Sequence, residues 1–163
     1  MMTTKAINKH VFMKQHWSNQ DKQNAEVVLD FVQLLMNNHD LDLIEKKYAS
    51  SQYIQHNRNI GDGITGLVQY FRSLSKQFPE FSYDVKNIMV DGDLVTLHSH
   101  ATVKKAHRGN DRKGFNIVDT WRIEEGELVE HWDSIQPLDN VMRFYYWITG
   151  GKIRNQNGVF KVN

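Results

Sequence analysis

The stretch Asn116-Ile-Val-Asp119-Thr-Trp121-Arg-Ile-Glu-Glu-Gly126-Glu-Leu-Val-Glu-His131-Trp-Asp133-Ser-Ile-Gln136 decides how the rest of this chain is read. Apolar and polar residues alternate on both sides of Glu124-Glu125-Gly126, the pattern of a β-hairpin. Two carboxylates, Asp119 and Asp133, interrupt otherwise apolar strand faces. A carboxylate among core residues is desolvated, which raises its proton affinity toward the range useful for proton transfer. A three-residue loop with Gly126 left-handed would pair Ile123 with Glu127, Asp119 with His131 and Ile117 with Asp133. Ile117, Asp119, Trp121, Ile123, Val129, His131, Asp133 and Ile135 then share one face. A two-residue turn would split the aspartates, because a one-residue slip inverts the alternation. The bulged loop is expected, since it unites the apolar residues of both strands.

Working outward, the chain before the hairpin divides by period. Ala25, Val28, Leu29, Val32, Leu35 and Met36 form one helical stripe from about Asp21. Asp40 is placed to cap a second helix through Tyr48, and Asp62-Gly63 opens a third with the stripe Ile64, Leu67, Val68, Phe71, Leu74 and Phe78. Pro79 ends it. Between these helices, Tyr53-Ile-Gln-His56-Asn57 is too short and mixed to type. After Pro79 the period changes to two: Phe81 to Val90, a turn at Asp91-Gly92, and Leu94 to Val103. Helices first and a meander afterwards predict an α+β fold, three helices packed on one face of a curved antiparallel sheet.

At 163 residues a single domain is expected, with a polar arm over 1–20, the domain over 21–137 and an extension over 138–163. That extension holds the cluster Phe144-Tyr145-Tyr146-Trp147-Ile148, then a polar tail from Gly150. Lys and Arg number 20 against 19 Asp and Glu, a balance that argues against nucleic-acid or membrane-surface partners. Cysteine is absent, which removes thiol nucleophiles, disulfides and cysteine zinc sites. No apolar run has the length of a membrane span and the first residues lack a signal-peptide core, so a cytoplasmic protein is expected.

Four motifs in order, Tyr-Ile-Gln-His-Asn (53–57), Asp-Gly (62–63), Asp-x-Trp-Arg (119–122) and Gly-x-x-Val-Glu-His-Trp-Asp-x-x-Gln-Pro (126–137), resemble SnoaL-like polyketide cyclases. These belong to the cone-shaped nuclear transport factor 2-like superfamily. The resemblance spans roughly Asp21 to Pro137. It implies aldol cyclisation or a related isomerisation of a carbonyl compound, with no cofactor and no metal, in a homodimer. Asp133 matches the family's general acid/base, Asp119 a second acidic position and His56 a histidine at the cone's mouth. Arg58 departs from the pattern, which often has proline there, and the aromatic cluster after Leu138 lies outside it.

Each candidate also has a plainer reading. Asp133 is either the base or a strand-end aspartate bound to a loop. Asp119 is catalytic, contacts substrate, or is simply paired with His131. His56 is a pocket residue by motif and a loop histidine otherwise. Tyr53, Asn57, Trp121, His131 and His100 are candidate substrate contacts, although Tyr53 and Trp121 suit a core equally. His98 and His100 share a strand face and with His131 suggest a metal triad, but Thr96 and Thr102 on that face fit an outer surface better. Glu130 and Trp132 face away from the aspartates and suit a subunit interface. Two functions remain open: a cofactor-independent enzyme on a small or polycyclic carbonyl compound, and a non-catalytic binder of an apolar metabolite. Epoxide hydrolysis needs an arginine between two aspartates, and Arg122 alternates away from Asp119.

Overall fold

Ser18 starts the helical layer. Its hydroxyl accepts the Asp21 N–H at 3.1 Å, and its own N–H donates to the Asp21 carboxylate at 2.9 Å. This reciprocal cap satisfies donors that a helix start leaves free. Helix α1 (Asn19–Val32) therefore begins ahead of Asp21, the point the apolar stripe alone indicates. It continues as a π-helical turn over Gln33–Asn38 and stops at His39, whose backbone is left-handed. Helix α2 (Leu41–Tyr48) is capped by Asp40, and α3 (Gly63–Gln77) ends just before Pro79. This computed structural model describes residues 6–49, 52–150, 154–157 and 159.

The strands are β1 (Ile54–Gln55), β2 (Ser82–Asp91), β3 (Leu94–Thr102), β4 (Phe115–Glu124) and β5 (Glu127–Pro137). They make one sheet in the order β1-β5-β4-β3-β2, antiparallel except for the β1–β5 pair. The α+β architecture is thus the expected one, with the core between helices and sheet: Phe31, Leu29, Ile44, Ile88, Leu97 and Trp121 are all essentially inaccessible. The short segment 53–57, untyped from sequence, is an edge strand and its flanks. Among the described residues no helix is long and apolar enough to cross a membrane.

The hairpin reaches the expected face by a different route. Glu125 and Gly126 both have positive φ, 51° and 82°, and Glu124 pairs with Glu127, so the turn has two residues and not three. Taken alone, that turn would split the aspartates. A bulge at Val129 restores them: Ile123 pairs with Leu128 but Arg122 with Glu130. Beyond it Trp121 lies opposite His131, Asp119 opposite Asp133 and Ile117 opposite Ile135, which corrects the pairing expected from sequence. Leu128, not Val129, enters the core. A second bulge between Val85 and Asn87 keeps Tyr83 and Val85 on the same face as Ile88.

Edge strand β2 is tied to the helical layer by one side chain. The Asn37 amide donates to Tyr83 O at 3.0 Å and its oxygen accepts the Tyr83 N–H at 2.9 Å. This fixes where the Tyr83 side chain enters the interior.

The segments flanking the expected domain are built into the structure. Ahead of α1, Trp17 is buried and the Ile7 N–H donates to Gln33 Oε1 at 2.9 Å. After β5, Asp139 caps helix α4 (Asn140–Thr149), taking the Val141 and Met142 N–H groups on one oxygen and the Gly114 N–H on the other. Of the polar tail, residues 154–157 fold back onto the loop after β1. Asn155 donates to Asn57 O at 2.8 Å, while the Gln156 N–H and the Asn157 amide donate to the Asp62 carboxylate.

Candidate functional site

A cavity of about 500 Å³ lies between the sheet, α3 and α4. Its walls are mostly apolar and aromatic, with Phe31, Tyr53, Tyr70, Phe71, Phe115, Ile117, Trp121, Ile135 and Tyr146 among them. Three ionisable groups of the hairpin, Asp119, His131 and Asp133, project into it from neighbouring strand positions. Apolar walls with a few convergent polar groups are the usual make-up of a small-molecule site.

The polar end is ordered by β1. Along this segment Tyr53, Gln55 and Asn57 turn inward while Ile54 and His56 turn outward, the alternation of an extended chain. Gln55 Oε1 accepts the Asn57 N–H at 2.8 Å, which orients the amide. The same oxygen lies 2.9 Å from His131 Nδ1, so Nδ1 carries a proton and donates to it. His131 Nε2 then faces Asp119 Oδ1 at 3.1 Å. A proton lies between them in either form of the pair, imidazolium with carboxylate or imidazole with carboxylic acid. Tyr83 Oη donates to the other Asp119 oxygen. Burial and the neighbouring Asp119 charge hold the Tyr83 hydroxyl well above its ordinary range, so it stays a donor. The His131 ring is further wedged between Tyr53 and Trp121, with centroids at 6.3 and 4.9 Å.

Asp133 stands outside these hydrogen bonds. Asn57 Nδ2 donates to one of its oxygens. Burial lifts its carboxyl from 3.8 to about 6; the nearby Asp119 charge adds to the rise, while His131 and the Asn57 donor oppose it. A carboxylate poised there accepts a proton near neutral pH far more readily than an ordinary aspartate.

A model of the SnoaL-like domain matches residues 28–131, well over half the chain. The chain belongs to the SnoaL-like family. Solved structures with this fold include a candidate polyketide cyclase from Bacillus cereus ATCC 10987, 15% identical with a TM-score of 0.59, covering 77% of this chain and 90% of that one. A candidate SnoaL-like polyketide cyclase from Jannaschia sp. CCS1 is 18% identical with a TM-score of 0.60, covering 85% and 99%. AclR, a candidate hydroxylase from Streptomyces galilaeus, is 21% identical with a TM-score of 0.59, covering 77% and 86%. At such identities the likeness is one of fold. No protein of curated function matches the chain.

Two residues expected at the SnoaL-like cavity stand elsewhere. His56 lies on the opposite face of the sheet, with Nε2 2.9 Å from Glu130 Oε1 and its ring stacked on Trp132 at 5.2 Å. The cause is the strand alternation that turns Gln55 and Asn57 inward. His100 also faces outward: its Nε2 contacts Lys113 O at 2.7 Å, and it lines a separate hollow beside Ile7, Val11 and Phe12. His98 contacts Asn116 on that same side, so the His98–His100–His131 grouping does not assemble. Glu130 and Trp132, expected at a subunit interface, join His56 and Arg122 within the chain. Arg122 donates to Glu130 at 3.1 Å and to Asp93 at 2.9 Å, away from the aspartates. Tyr53, Asn57, Trp121 and His131 do line the cavity.

Sequence reasoning missed Gln55 and Tyr83. Reading 53–57 as a strand would have found the first. Asp119, His131 and Asp133 each offer one atom within 4.8 Å of the others, a set that can hold a metal ion. In this arrangement, however, Asp119 is already engaged with His131 and Tyr83, and one oxygen of Asp133 with Asn57. A metal would have to displace the proton between His131 and Asp119, so the donor set as arranged suits proton transfer better.

Proposed function

We propose that this protein is a cofactor-independent acid–base catalyst acting on a small or polycyclic carbonyl compound, of the aldol-condensation or isomerisation type. The observation that carries this reading is Asp133, a carboxyl raised to about 6 at the polar end of an aromatic cavity. In this scheme the Asp133 carboxylate takes a proton from the carbon next to a carbonyl, and the carbon–hydrogen electron pair moves to form an enolate. The developing oxygen competes with the His131–Asp119 contact for the proton held there, a charge-assisted hydrogen bond most effective where water is excluded. Asn57 holds Asp133 in line, and the aromatic walls orient a flat substrate. The enolate carbon then attacks a second carbonyl, whose oxygen takes the proton back from Asp133, or the enolate is reprotonated at a different carbon by Asp133.

A simple ketone tests the chemistry without the natural substrate. Exchange of the α-hydrogens of 2-tetralone in heavy water, followed by proton NMR, should be accelerated by the protein. Asp133→Asn should lower that acceleration by about a hundredfold or more. Equal exchange by the two proteins would remove the catalytic reading and leave a binding protein that uses the same cavity.

A further inference from the structure

Arg58, the departure from the family pattern noted above, meets Arg154 of the folded-back tail. The Arg154 N–H donates to Arg58 O at 2.9 Å. The loop and tail are locked together by the Asn155 bond to Asn57 O and by the bonds to Asp62. Arg154, itself exposed, lines the cavity together with Tyr145, Tyr146 and Thr149, and Arg58 adjoins it without being part of the lining.

Neither guanidinium belongs to an ion pair among the described residues. The Arg58 Nε is buried with no hydrogen-bond partner among the described residues. Asp62, the acidic group on the same loop, is occupied by Gln156 and Asn157. Burial raises the hydroxyls of Tyr70 and Tyr146, the Asp133 charge adds to both, and the positive charges of Arg154 and Arg58 respectively oppose that rise more weakly. The arginine charge is therefore felt by tyrosines of the cavity wall.

A cation at the rim of a low-dielectric hollow attracts an anion to that end of it. Guanidinium groups suit a carboxylate in shape as well as in charge. We propose that Arg154, with Arg58 beside it, forms an anion subsite at the rim of this cavity, which makes its ligand a flat apolar carbonyl compound carrying a carboxylate. The inference rests on the cavity being the ligand site of the proposed function, but not on turnover there.

Calorimetric titration with 2-naphthoate and 2-naphthamide, nearly the same shape and differing in charge, tests it. The wild-type protein should bind the acid about tenfold more tightly than the amide, as one charge-assisted contact of about 1.4 kcal/mol requires. Added salt should weaken only the acid. Arg154→Met and Arg58→Met should each erase most of that preference, and an unchanged circular-dichroism spectrum and melting temperature report that the variants are folded. Asp133→Asn should keep the preference, so a failure of the catalytic reading leaves this result standing. Equal affinities in the wild type, a preference that survives both arginine substitutions, or binding of neither compound would each overturn the subsite.

Discussion

Replacing Asp133 should make the protein more stable at neutral pH. The folded state holds this carboxyl at about 6 where an ordinary aspartate sits at 3.8, so between those values it binds more protons than the unfolded chain. Folding stability therefore falls as pH rises through that window and levels off above it. A rise of roughly two units, at about 1.36 kcal/mol each, costs the folded state about 3 kcal/mol at pH 7, to order of magnitude. Asparagine cannot ionise, and turning its oxygen toward Asn57 Nδ2 keeps the hydrogen bond. Urea denaturation of wild type and Asp133→Asn across the acid-to-neutral range checks this. The variant should be more stable by a margin that approaches about 3 kcal/mol at neutral pH and shrinks steadily toward pH 4. A pH-independent difference, or a variant less stable at neutral pH, would refute both the raised carboxyl and its assignment to Asp133.

Asn57→Leu removes a donor to the ionised form of Asp133 at similar side-chain volume, so the carboxyl should rise further, by roughly one to two units. Carbon-13 NMR titration of labelled aspartate reads this directly, and an unchanged midpoint would show that the Asn57 contact does not tune it. Asp139→Ala deletes the cap of α4 and should cost about 1 kcal/mol, seen as a melting temperature lower by roughly 2–4 °C. Partial burial raises the Asp139 carboxyl, but the N–H groups of Met142, Gly114 and Val141 together with Lys113 hold it below its ordinary value overall. Its contribution is present at neutral pH and fades as pH falls through that depressed value, so the two proteins should converge in acid.

The face shared by Asp119 and Asp133 was legible because burial of one sheet face demands period-two alternation in both strands. The turn was not. Glu125 adopts a left-handed backbone that asparagine, aspartate or glycine usually takes, so nothing in its identity announced a two-residue turn, and the bulge at Val129 left no mark in the alternation. His56 was misplaced because a two-residue strand is too short to declare its period. Its neighbours in the sheet lie some 75 positions away in sequence, with His56 and Glu130 separated by 74. Tyr83 read correctly as a buried strand residue, but its partner Asp119 is set by the fold and not by local pattern. Helix α4 was hidden by its own surface. Met142, Tyr145 and Tyr146 have helical spacing, yet Val141, Phe144, Trp147 and Ile148 on the outside are apolar too, so no single stripe stands out.

The grip of Asn37 on Tyr83 has a consequence for how copies of this protein can meet. The backbone groups of Tyr83 that would otherwise face outward from β2 are filled by a side chain, so an approaching strand finds its ladder interrupted there. Farther along the same rim the Asp84–Lys86 ion pair and the bulge between Val85 and Asn87 present charge and a bend. The opposite rim ends in β1, which has two residues. Both margins are thus poor templates for strand addition and for fibre-like growth through edges.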